Sequence, residues 1–204
     1  MAKHHHFYYW RERLTQLFCV GYYCYSASLF FADFQATQRA TSAIALVFLV
    51  LVALFSLLRK FPKEVSGNPV AWAAAFLGTV MTASFIPAGT QSLMAAQSLQ
   101  GIGLVLTSIS LISLNQSFSI VAANRGIKTR GLYRLVRHPL YASYLVYDLG
   151  LLLSQFSRWN LFVALLIAAL SVLRIRYEEA LLMRDEAYQA YALNVRSRLI
   201  PGIW

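Results

Sequence analysis

The stretch Thr129-Arg130-Gly131-Leu132-Tyr133-Arg134-Leu135-Val136-Arg137-His138-Pro139-Leu140-Tyr141-Ala142-Ser143 is basic, rich in rings and set between long apolar runs. Arg130, Arg134 and Arg137 would be costly in lipid, so the segment must lie at an aqueous face. Pro139 suits the first turn of a helix, and the residues beyond it return to an apolar run. A polar site at a membrane boundary follows.

Composition agrees. The chain is 58% hydrophobic and 13% charged over 204 residues, too apolar for a soluble domain of this size. A formal charge of +10 raises nucleic acid as a partner. The basic residues sit at the ends of apolar runs, where membrane topology accounts for them, and no soluble basic face is left for a nucleic acid. The run Leu14 to Phe31 is too long for a signal-peptide core and lacks a small-residue cleavage site, so it reads as a span.

A membrane helix needs about 20 mostly apolar residues. The stretches 14–32, 42–58, 70–89, 99–122, 139–156 and 159–175 fit, the third containing Pro87. The expected class is an all-α integral membrane protein with about six transmembrane helices, a C-terminal helical hairpin and a terminal amphipathic helix. The connector 156–159 is short enough to make the last two spans a tight antiparallel pair. Of the 18 lysines and arginines, all but Arg39 and Arg158 fall on one side of this arrangement, which predicts cytoplasmic N- and C-termini in a bacterial inner membrane or the endoplasmic reticulum. One membrane domain is expected over 1–204, with four N-terminal spans in 14–122 and a core in 123–204. Nothing in the sequence sets the oligomeric state.

No metal centre is expected. Apart from the His4-His5-His6 triplet, His138 is the only histidine, and Cys19 and Cys24 share one apolar run at a spacing that favours neither a disulfide nor a metal pair. In the fourth stretch, Gly103, Thr107, Ser110 and Ser113 read as helix-packing residues, while Asn115 and Gln116 lie where they can line the mouth of a site.

Helical spacing from Pro139 places Tyr141, Tyr144 and Asp148 on one stripe. Asp148 is the only acidic residue well inside a span, and an intramembrane carboxylate is either a packing residue held by hydrogen bonds or part of a substrate site. Arg174 and Glu178, four apart, share a face where the last span leaves the membrane. The hairpin makes His138 and Tyr141 neighbours of Arg174 and Glu178. Cations, rings and a carboxylate therefore converge, a combination suited to a zwitterionic molecule with an aromatic base, with arginine left to clamp the anionic group of a second substrate.

The run Thr129-x-Gly131-x-Tyr133-x-x-x-Arg137-His138-Pro139-x-Tyr141, followed by Glu178-Glu179-x-x-Leu182, Tyr188-x-x-Tyr191, Val195 and Ile200-Pro201, resembles the isoprenylcysteine carboxyl methyltransferase family and its phospholipid methyltransferase relatives. The resemblance covers roughly residues 115 to 202. It implies an integral membrane methyltransferase that uses S-adenosyl-L-methionine without a Rossmann domain and acts on a lipid or lipidated substrate, first of all a carboxylate. Phospholipid and thiol acceptors are the alternatives. It further implies Tyr133, His138, Pro139, Leu140, Tyr141 and Glu178 as cofactor-binding residues and Arg174 as the catalytic, substrate-contacting arginine, beside which Asp148 and Tyr144 are substrate-binding candidates. A steroid 5α-reductase-like NADPH enzyme and a non-catalytic membrane scaffold are the rival readings. Ser143 without the common glycine, and Arg184-Asp185-Glu186 before the tyrosine pair, depart from the pattern and bear on the shape of the pocket.

Overall fold

A backbone in hydrocarbon has no water to bond, so its amides must pair within the chain, and long apolar runs become helices. The computed structural model describes residues 2–86 and 94–203, with the side chains of all of these except residues 2–9 and 11. It is an all-α membrane protein that divides into two compact units, Met1–Arg59 and Lys60–Trp204.

The first unit is a pair of packed helices, α1 (Ala2–Thr37) and α2 (Ala40–Leu58). Polar contacts join the two. Gln16 Nε2 donates to the carbonyls of Ser56 and Leu57 at 3.1 and 2.6 Å, satisfying acceptors that the end of α2 leaves open. Arg59, which follows α2, is buried and pairs with Glu12 at 2.9 Å. Cys19 is buried, Cys24 is exposed, and both are free thiols.

The second unit holds β1 (Glu64–Val65), α3 (Pro69–Val80), α4 (Met94–Leu114), β2 (Ala123–Asn124), α5 (Pro139–Ser154), α6 (Arg158–Leu182) and α7 (Glu186–Asn194). Capping explains where several of these begin. Asn68 accepts from the Val70 amide ahead of α3, Ser157 from Asn160 ahead of α6, and Asp185 from Ala187 ahead of α7. Pro139 opens α5 and Pro69 opens α3, where a missing N–H costs nothing.

Among the described residues, four helical segments are long and apolar enough to cross a membrane, Glu12–Thr37, Ala40–Leu58, Met94–Ser117 and Arg158–Leu182. The other two expected spans form shorter helices. The third stretch is helical over Pro69–Ser84 and tightens to a 3₁₀ turn at Met81–Ser84; Pro87 lies outside the described residues. The fifth is the 16-residue α5, which closes at Ser154, four residues before α6 begins. At 25 residues α6 is about 37 Å long, more than the roughly 30 Å hydrocarbon layer, so its last turns emerge into the polar region.

The tightest seam joins α4 to α5. A Cβ on Gly103 would lie 2.6 Å from the Tyr147 amide nitrogen, and one on Gly150 would lie 2.7 Å from that of Gln100. These two glycines let the backbones touch, the usual way membrane helices associate without a hydrophobic drive. Gln100 adds bonds to the Gly150 carbonyl at 3.2 Å and to Ser154 Oγ at 2.6 Å. On the polar side β1 and β2 pair antiparallel, Glu64 with Asn124 and Val65 with Ala123. Asp185 is tied to this layer by the Asn124 amide at 2.7 Å, which holds its carboxyl below the usual range.

Candidate functional site

Two adjacent carboxylates organise the polar end of α5 and α6. Neighbouring helical residues point about 100° apart, so Glu178 and Glu179 address different surroundings.

Glu178 looks toward α5. Tyr141 donates its hydroxyl to Glu178 Oε2 at 3.1 Å. The Arg174 guanidinium, one helical turn before Glu178, lies 5.2 Å from the centroid of the Tyr141 ring, in cation–π range, and donates to the Ile120 carbonyl at 3.1 Å. Tyr141 therefore sits between a cation and an anion carried on successive turns of α6. Its ring also meets those of His138 at 5.8 Å and Tyr144 at 6.4 Å, both edge-on, so three rings run along α5. The expected convergence of His138, Tyr141, Arg174 and Glu178 is present in the geometry.

Glu179 is a buried hub that the sequence reading did not single out. Its Oε1 accepts from Arg137 Nε at 2.7 Å, faces His138 Nε2 at 3.2 Å and accepts from Tyr188 Oη at 3.4 Å. Its Oε2 accepts from Arg198 Nε at 2.6 Å. The His138 ring thus turns toward Glu179, and Glu178 meets Tyr141. The tail after α7 completes the arrangement, with the Arg137 and His138 amides donating to the carbonyls of Ser197 and Arg198 at 2.9 Å each. A short strap of C-terminal chain is paired against the start of α5. The doublet Glu178-Glu179 beside Arg137-His138 was the available signal. Arg198, in an aperiodic tail, gave none.

Tyr191 holds the preceding loop by donating to the Tyr133 carbonyl at 2.7 Å. Burial pushes the Tyr133 and Tyr188 phenols well above their ordinary range and Tyr191 to about 12, so all three stay protonated donors at neutral pH. Leu140 and Pro139 are buried at the start of α5. Asn115 is exposed at the end of α4, and the Gln116 carbonyl accepts from the Lys60 amide at 2.9 Å. Deeper along α5, Asp148 is 4% exposed, and neither of its carboxylate oxygens has a hydrogen-bond partner among the described residues.

Chemically, the cluster offers rings on α5 facing an arginine and a carboxylate of intermediate exposure one turn apart on α6, with a buried acid farther along α5. No group of three or more histidine, cysteine or acidic side chains suited to a metal occurs among the described residues.

Residues 91–190 match the phospholipid methyltransferase family. This segment holds every site residue expected above, as well as Glu179 and Tyr188. The resemblance read from the Arg137-His138-Pro139 and Glu178-Glu179 motifs points to the same family. That family implies a membrane methyltransferase acting on lipid substrates. No curated protein matches the chain.

Proposed function

Starting from this phospholipid methyltransferase segment, we propose that the chain transfers a methyl group from S-adenosylmethionine to a lipophilic acceptor that approaches from within the membrane. The observation that carries the reading is Tyr141 fixed between Arg174 and Glu178. A sulfonium compound with an amine, a ribose and a purine needs an aromatic face and a carboxylate to accept hydrogen bonds, and an anionic acceptor beside it needs a cation. The residues present fit that demand.

On this reading Tyr133, His138, Pro139, Leu140, Tyr141 and Glu178 hold the methyl donor. Pro139 and Leu140 contribute the start of α5, and His138 contributes chiefly by anchoring that start to Glu179. Arg174 engages an anionic group of the acceptor, whether the carboxylate of a prenylated cysteine or the phosphate of a phospholipid. Tyr144 and Asp148 line the deeper part. The methyl is already activated when the donor is bound, so the protein's work is to align the acceptor with it and to keep water away. The basic face is taken as cytoplasmic, where the donor is dissolved.

The test is calorimetry on protein in nanodiscs, with S-adenosylhomocysteine and NADPH titrated in parallel. Saturable binding of the first and none of the second is expected. Binding of NADPH alone would replace this reading with the reductase.

A further inference from the structure

Asp148 lies one helical turn beyond Tyr144 and two beyond Tyr141, on the stripe of α5 that carries both rings. Tyr144 is within electrostatic reach of both Asp148 and Arg174, and Tyr147 is within reach of Asp148. The group is nine-tenths buried or more, and both its oxygens lack a hydrogen-bond partner among the described residues.

Polar side chains inside membrane helices most often serve as glue, bonded across to a neighbouring helix. Asp148 makes no such bond. The α4–α5 seam runs instead through Ser143, which faces Ser110 at 3.5 Å, and through the close approaches at Tyr147 and Gly150. An unpartnered carboxyl at this depth is expensive and gives the resting protein nothing in return. Its use therefore lies with a group that arrives.

We propose that Asp148 takes the proton from the nucleophilic atom of the acceptor lipid, so that the acceptor is one carrying a proton on that atom and not an already ionised carboxylate. This rests on the methyltransferase reading above. For a protonated amine, the N–H bond breaks and the proton passes to the Asp148 carboxylate. The freed nitrogen pair then bonds the methyl carbon as the S–CH₃ bond breaks, the bonding pair stays on sulfur, and the sulfonium becomes a neutral thioether. The nitrogen ends with a positive charge, so charge balances. An ammonium is drawn to Asp148 before the transfer, whereas an acceptor carboxylate would meet like charge in a medium of low dielectric.

The experiment compares wild type, Asp148→Asn and Asp148→Leu in nanodiscs made from the total lipid of the expression host's membrane, with methyl-tritiated S-adenosylmethionine as donor. A methyl ester loses its label as methanol in base, and an N-methyl group keeps it. The expected label is base-stable. Asp148→Asn should label at least about 100-fold more slowly and lose the acidic limb of the pH–rate profile. Its S-adenosylhomocysteine affinity should stay within about threefold of wild type, and its melting temperature should equal or exceed wild type, since an unpaired buried acid has been removed. Base-labile label, no label at all, turnover of Asp148→Asn within about threefold of wild type, or lowered melting temperatures in both variants would each overturn the assignment. Failure of wild type to bind S-adenosylhomocysteine would instead sink the methyltransferase reading itself.

Discussion

The hydroxyl of Tyr141 donates to Glu178 across the α5–α6 hairpin at 3.1 Å, beside the bonds from Arg137 and His138 to Glu179 that join the same two motifs. On the proposed reading, the bond orients the Glu178 carboxylate for the methyl donor.

Replacing Tyr141 with Phe keeps the ring under Arg174 and removes only that bond. A hydrogen bond to a charged group contributes about 1.5–3 kcal/mol, so S-adenosylhomocysteine should bind roughly 10- to 100-fold more weakly. Calorimetry in nanodiscs measures this. Unchanged affinity would mean that Glu178 does not face the donor.

On the proposed reading, Arg174 belongs to the acceptor and not to the donor. Arg174→Lys retains the charge but loses the flat guanidinium that lies over Tyr141 and reaches the Ile120 carbonyl. On the proposed role, S-adenosylhomocysteine affinity should change by no more than about threefold while methyl transfer falls by about 100-fold or more. Equal losses in both would place Arg174 with the donor and not the lipid.

Which parts of this arrangement could be read from the sequence follows from range. Pro139 opening a helix, the hairpin turn before Arg158, and Arg174 and Glu178 on one face all depend on spacing within one or two elements, and those relations appear as expected. Glu179 was passed over because its partners come from three places at once. Arg137 and His138 lie 42 and 41 residues away, and Arg198 sits in a tail with no periodicity. The pairing of Glu64-Val65 with Ala123-Asn124 is too short to leave an alternating pattern. The Arg59–Glu12 pair left no local pattern either, because its members lie 47 residues apart in the sequence.

Glu179 should be the most costly of these side chains to remove. Deleting one member of a buried ion pair leaves the other charge stranded and costs about 3–5 kcal/mol. Arg137 and His138 are 7% and 4% exposed at the side chain, so Glu179→Ala should lower the melting temperature in detergent by roughly 10 °C, at about 2–4 °C per kcal/mol for a chain of this size. Arg198 is 34% exposed, and its bond is discounted by solvent, so Arg198→Ala should cost about 1 kcal/mol or less. Similar melting temperatures for the two variants would show that the hub is not a buried ion network.

The α4–α5 seam makes the most local prediction. A methyl on Gly103 has no room, because the position it would take is 2.6 Å from the backbone nitrogen of Tyr147 and 2.7 Å from its Cα, and backbone cannot step aside as a flexible side chain does. Gly103→Ala should therefore force the helices apart and cost about 1–3 kcal/mol, seen as a lower melting temperature. Because Tyr147 and Asp148 are consecutive on α5, the same displacement moves the acid relative to Arg174 and Glu178 on α6. Gly103→Ala should then lower turnover more than S-adenosylhomocysteine affinity. Methyl transfer and binding measured on one preparation test this together, and a variant that loses stability but keeps the wild-type ratio of the two would show that the seam only holds the helices and does not set the depth of the acceptor site.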